Sequence, residues 1–80
     1  MEEVGEITHY FPKIGVAVVT VMKHIRVGDT IRIRGHATDF EQEVESMQVD
    51  QKNITEAKKG DDIGLKVDDL VKKGDKVYIV

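Results

Sequence analysis

Apolar and polar positions alternate along this chain in short runs, and each clear run starts just after a Gly-Asp pair. Three such pairs occur, in Gly28-Asp29-Thr30-Ile31, Gly60-Asp61-Asp62-Ile63 and Gly74-Asp75-Lys76-Val77. Glycine takes a positive φ at little cost and an aspartate side chain can bond nearby backbone, so each pair reads as a turn that launches a strand. Behind each turn one parity is apolar: Ile31 and Ile33 against Arg32 and Arg34, then Ile63, Leu65 and Val67 against Gly64 and Lys66, then Val77 and Ile79 against Tyr78. Such period-two alternation predicts strands with one buried face.

Two more strands are predicted ahead of the first turn, over 4–11 and 16–22, joined by a hairpin loop at Pro12-Lys13-Ile14-Gly15. The second is apolar at nearly every position, so periodicity leaves its inner face open. A sixth strand is expected over 40–50, where Val44 fits one parity and Met47 and Val49 the other. A bulge near Glu45 and Ser46 would reconcile them. Helical signal is confined to 54–59 and 68–73, each about one turn long and read as a 3₁₀ or single-turn connector. Six strands in so short a chain favour closure, which removes exposed edges. The expected fold is therefore all-β, a single closed six-stranded antiparallel β-barrel forming one domain over residues 1–80.

Composition narrows the class. With 40% hydrophobic and 34% charged residues among 80, a folded core is expected rather than disorder. A chain of this size buries only roughly 60% of its unfolded surface, so stability should be modest. The aromatic residues are Tyr10, Phe11, Phe40 and Tyr78, so the core must be aliphatic. The absence of cysteine excludes a disulfide framework, a thiolate metal site and a cysteine nucleophile, and it fits a reducing compartment, so the cytoplasm is the expected location. Met1-Glu2-Glu3 shows no signal-peptide pattern, and the longest apolar run, Val16 to Val19, is far below the ~20 residues of a membrane span.

Net charge is −3, which argues against a surface that is one large phosphate-binding field, and no DNA partner is expected. Residues 1–36 hold five Lys/Arg against four Asp/Glu, and 37–80 hold seven against eleven, giving +1 and −4. Arg32 and Arg34 share one strand face and, with Arg26, Lys13 and Lys23, are candidates for phosphate contacts. If His36 to Asp39 form a four-residue loop, however, Arg34 faces Glu41 and Arg32 faces Glu43, and the pairs neutralise one another. His9, Tyr10, Phe11 and Lys13 combine rings with a cation, as single-stranded nucleic-acid platforms do. One or two of those rings are also needed to plug a barrel end.

Catalytic constellations are not found. His9, His24 and His36 match no zinc spacing, and Asp61-Asp62 and Asp68-Asp69 lack the calcium-loop pattern. Glu41, Glu43 and Glu45 read as solubilising charge, and no phosphate loop, Walker lysine or nucleophile elbow occurs. Asn53-Ile54-Thr55 matches the glycosylation acceptor pattern, which bears only on a secreted chain. No catalytic, metal or cofactor-binding residue is assigned, and no cofactor is expected.

With turns and strands in place, the chain resembles the second domain of the translational GTPases, the barrel of elongation factor Tu and its initiation-factor relatives. The likeness rests on Lys23 to Arg34, containing Val27-Gly28-Asp29-Thr30-Ile31, and on Val44 to Lys66. In the latter, Val44-Glu45-Ser46-Met47 precedes Ala57-Lys58-Lys59-Gly60-Asp61-Asp62-Ile63-Gly64. It extends over nearly the whole chain, with the hairpin His9 to Gly15 departing from the usual pattern. A similar barrel closes some collagenase-like peptidases, and Thr38-Asp39-Phe40 through Met47 looks like that version. The translation-factor resemblance implies a pocket for the aminoacyl end of transfer RNA at Gln48, Asp62, Gly64 and Lys66. Asp62 stands where a neutral residue is common. Taken together, the leading expectation is a stand-alone, non-catalytic module binding tRNA, other RNA or a translation component. The alternative is an accessory subunit that docks on a larger protein partner; no membrane partner is expected.

Overall fold

The computed structural model describes residues 1–80 and contains ten β-strands. In chain order these are β1 (Glu2–Phe11), β2 (Val16–Val21), β3 (His24–Arg26), β4 (Thr30–Arg34), β5 (Asp39–Glu43), β6 (Met47–Val49), β7 (Lys52–Ile54), β8 (Glu56–Lys58), β9 (Asp62–Lys66) and β10 (Lys76–Ile79). Eight of them form one sheet in the order β5-β4-β10-β1-β2-β9-β6-β7, and β3 and β8 pair separately. Every pairing is antiparallel. The large sheet curls strongly into a half-barrel around the core, within an envelope of 30 × 29 × 20 Å.

The three Gly-Asp pairs are one device used three times. In each, the aspartate N–H donates to the carbonyl three residues back, at Arg26, Lys58 and Lys72 (3.1, 3.0 and 3.0 Å). The aspartate carboxylate in turn accepts the N–H of that same residue, at 2.9, 2.9 and 2.8 Å. The glycine between them has φ of 96°, 94° and 94°, the left-handed conformation that a type II turn requires at its third position. Both ends of each turn are thus satisfied locally, and β4, β9 and β10 leave the turns at Thr30, Asp62 and Lys76.

Alternation then decides what is buried. Ile31 and Ile33 on β4, Ile63 and Leu65 on β9, and Val77 on β10 point inward and are buried. On β2 the open parity resolves to Ala17, Val19 and Val21 inside, with Val16, Val18 and Thr20 half-buried outside. Val4, Ile7, Ile25, Val44, Met47, Ala57, Val67 and Val71 complete an aliphatic core, against which Tyr10, Phe40, Val49, Ile54 and Ile79 pack. Each fully buried Val, Leu or Ile contributes roughly 1.5–3 kcal/mol of transfer free energy.

The closed six-stranded barrel is corrected by this topology. The expected strand over 40–50 breaks in two: β5 pairs with β4, whereas β6 pairs with β9 and β7. The predicted bulge near Glu45 and Ser46 is the crossing between them. As a result β5 and β7 remain sheet edges, and no ladder joins them. The opening beside β5 is bridged instead by Gln42, whose amide donates to the Lys66 carbonyl (2.9 Å) and accepts the Asp68 N–H (2.7 Å).

Segment 54–59, expected as a short helical connector, is extended as β7 and β8, because Ala57 is buried and β8 pairs with β3 at Ile25↔Ala57. Segment 68–73 contains no helical turn either. The β4–β5 loop is Gly35 to Thr38, one residue earlier than expected. That shift moves the register by two, so Arg34 faces Asp39, Arg32 faces Glu41 and Thr30 faces Glu43.

Candidate functional site

The β1–β2 hairpin carries the ring-and-cation cluster. A register shift between Ile7 and His9 inserts Thr8 as a bulge, which changes the strand's inward parity. After it, Tyr10 packs against the core while His9 and Phe11 share the exposed face, with ring centroids 4.6 Å apart and planes tilted by 55°. Lys13 is exposed at the tip. The cluster therefore divides: one ring plugs the core, and two stand outside.

The four positions implied by the translation-factor likeness do lie together. Asp62, Gly64 and Lys66 occupy the outer face of β9, and Gln48 on β6 is the register partner of Gly64. Each polar group already has a partner. Thr20 Oγ1 donates to Asp62 (2.7 Å), Gln48 Nε2 donates to Asn53 Oδ1 (3.1 Å), and Lys66 Nζ lies 3.4 Å from Glu45. Val16 and the Gln48 carbonyl lie within 4 Å of where a Gly64 side chain would start, so the surface there is shallow.

Ion pairs occupy the outer face elsewhere. Arg32 grips Asp39 with two bonds, Nε to Oδ1 at 2.7 Å and Nη2 to Oδ2 at 2.9 Å. The pairing of Arg32 with Glu43 and Arg34 with Glu41 is replaced by this diagonal contact. That contact raises the Arg32 pKa and lowers that of Asp39. A hydrogen bond from Lys23 lowers the Glu2 pKa, one from His24 lowers that of Glu56, and one to Glu6 raises that of Lys76.

The period-two pattern does not flag two exposed apolar side chains, Ile14 in the β1–β2 loop and Leu70 in the β9–β10 loop. Ile14 is 67% exposed and Leu70 is 70% exposed, with Phe11 at 44%. Their segments meet, because the Gly15 carbonyl accepts the Val67 N–H at 2.9 Å. The available signal was a large aliphatic residue inside a loop, where turn chemistry favours polar ones. No group of His, Asp and Glu is arranged to hold a metal ion, and no helix is long and apolar enough to cross a membrane.

With this geometry established, the relatives separate the two resemblances. The chain superposes on the C-terminal domain of a putative U32 peptidase from Geobacillus thermoleovorans with a TM-score of 0.93, covering 99% of this chain and 92% of that one at 22% identity. The selenomethionine variant of that domain gives a TM-score of 0.90, covering 96% and 98%, again at 22% identity. The fold is that of this peptidase domain. In sequence, the chain is 38% identical over 79 residues to an uncharacterized protease, MJ0090, of Methanocaldococcus jannaschii. The match takes in 98% of this chain and 19% of that protein, so the chain spans about a fifth of the relative's length. No family model matches. The collagenase-like peptidase resemblance is thereby supported, whereas nothing in these relatives supports the link to elongation factor Tu, to translation or to RNA.

Proposed function

We propose that this chain is an accessory domain that docks on a peptidase and contributes no catalytic residue of its own. The observation that carries the reading is the match of nearly the whole chain to about a fifth of a protease. A small domain without a grouped nucleophile, acid and base is suited to binding or positioning rather than bond cleavage. The surface we assign to docking is the hairpin end with the adjoining β9–β10 loop, where Phe11 and Ile14 on the one and Leu70 on the other expose apolar area, with His9, Tyr10 and Lys13 on the hairpin. Exposed apolar patches rimmed by polar residues mark interaction sites.

The test uses the Methanocaldococcus jannaschii protease lacking its matching 79 residues, titrated with this chain by calorimetry. Binding tighter than ~10 μM, weakened at least about tenfold by Ile14→Asp with Leu70→Asp, is the expected result. No heat at ~100 μM overturns it. The tRNA reading rests on the His9–Phe11 ring pair, Lys13 and the shallow face around Gln48, Asp62, Gly64 and Lys66. Labelled tRNA binding below ~100 μM at moderate salt would replace the docking reading with it.

A further inference from the structure

β5 is an edge strand whose free backbone is well defined. Hydrogen bonds in an antiparallel ladder alternate between the two sides of a strand. On this ladder, Gly35 N donates to the Thr38 carbonyl and Val44 N donates to the Asp29 carbonyl. Thr38, Phe40, Gln42 and Val44 therefore face β4, and the N–H and C=O groups of Asp39, Glu41 and Glu43 face outward from the sheet. Gln42 bridges the opening with its side chain on the inner side, and its Nε2 also donates to the Glu43 carbonyl at 3.4 Å, so of the outward groups that carbonyl is already engaged. The opposite edge, β7, is shorter, with three residues against five.

Charge selects what fits this edge. Asp39 is held by Arg32, but Glu41 and Glu43 are exposed and take part in no ion pair. They are two residues apart, so their carboxylates project on the same face about 7 Å from one another along the strand. A strand added alongside would bring its own side chains within about 5 Å of them. A second copy of β5 would oppose these acids with its own, a repulsion that disfavours self-association through this edge. A strand with cations at alternate positions meets no such penalty.

We infer that the β5 edge accepts an extended peptide segment carrying Lys or Arg at positions i and i+2, which adds a strand to the sheet. Main-chain bonds to Asp39, Glu41 and the Glu43 N–H supply the affinity, and the Glu41 and Glu43 carboxylates supply the sequence preference. This edge is distinct from the hairpin end, so the inference stands whether or not that end docks on a peptidase.

The test is a titration of the 80-residue chain, followed by amide hydrogen exchange and NMR, with a capped seven-residue peptide of Lys alternating with Thr and Val. Expected are binding at about 100 μM and exchange slowed about tenfold at Asp39, Glu41 and Glu43, with Phe40 and Gln42 unchanged. A peptide of the same charge with a central proline should bind about tenfold more weakly, since proline lacks a donor. Glu41→Lys with Glu43→Lys should transfer the preference to the Glu-containing counterpart. Equal binding of the proline peptide, protection without that parity, or no binding at ~1 mM overturns the inference.

Discussion

Gln42 on β5 and Asp68, 26 residues further on, are joined by a 2.7 Å hydrogen bond from the Asp68 backbone N–H to the Gln42 side-chain oxygen. The same amide donates to the Lys66 carbonyl at 2.9 Å, so one buried side chain spans the opening that a ladder would have closed. Removing it strands a donor and an acceptor together. Gln42→Leu should cost about 1–3 kcal/mol, read as a lower urea midpoint at unchanged slope. Exchange of the Asp68 amide should accelerate beyond the global change.

Gln42→Glu gives a pH-dependent version of the same defect. A carboxylate still accepts from Asp68 but is repelled by the Lys66 carbonyl, whereas the protonated acid can donate to it. The introduced group should therefore have a folded pKa above its unfolded value of about 4.3, binding more protons when folded. Its deficit relative to the parent should shrink as pH falls through the folded pKa and level off below about 4. Urea midpoints of both proteins between pH 7 and pH 4 check this. A gap that stays constant would contradict the bridging role.

Gly35 is constrained by contact rather than by backbone angle. A Cβ placed there would lie 1.8 Å from Asp75 Oδ1 and 2.6 Å from Asp75 Cγ. Asp75 is itself 4% exposed and tied to the Lys72 N–H, so it cannot move aside freely. Gly35→Ala should destabilise by about 1–3 kcal/mol, as overpacking does. Gly28→Ala meets open space and is strained only by its φ of 96°, costing about 1–2 kcal/mol. Asp75→Ser should recover part of the loss when combined with Gly35→Ala and none when combined with Gly28→Ala, measurable in two double-mutant cycles.

The β6–β7 hairpin turns through Asp50 and Gln51, with φ of 52° and 66°. This two-residue turn with positive φ at both positions favours Asn, Asp or Gly, and glutamine is a poor occupant of the second. Gln51→Gly should raise stability by about 0.5–1 kcal/mol, seen as a higher thermal midpoint.

Three exposed carboxyls, Glu2, Asp39 and Glu56, have pKa values lowered by hydrogen bonds from Lys23, Arg32 and His24. A depressed folded pKa means the unfolded chain binds more protons, so these contacts stabilise above pH of about 4 and are lost as pH falls through the folded values. Acid unfolding should therefore steepen below pH of about 4. Because the pairs are solvent-exposed, 1 M salt should flatten the dependence. The Lys76 contribution has the opposite sense, being present below its ordinary pKa and lost at strongly alkaline pH.

The sequence by itself determined what is local. Gly-Asp turns at 28, 60 and 74 and the alternation behind them specify three strand starts and their inward residues, since turn chemistry and period-two burial act within a few residues. It also placed Gln48, Asp62, Gly64 and Lys66 near one another, through a family likeness rather than through chemistry. Only the tertiary structure decided the inner parity of β2, the break at 44–46 and the β4–β5 register, because each depends on which strand lies alongside. The same holds for the free edge at Asp39, Glu41 and Glu43 and for the approach of Ile14 to the segment bearing Leu70. Those features arise from how far the sheet curls before its ends meet, a balance of packing between residues distant in the chain, and it stops one ladder short of closure.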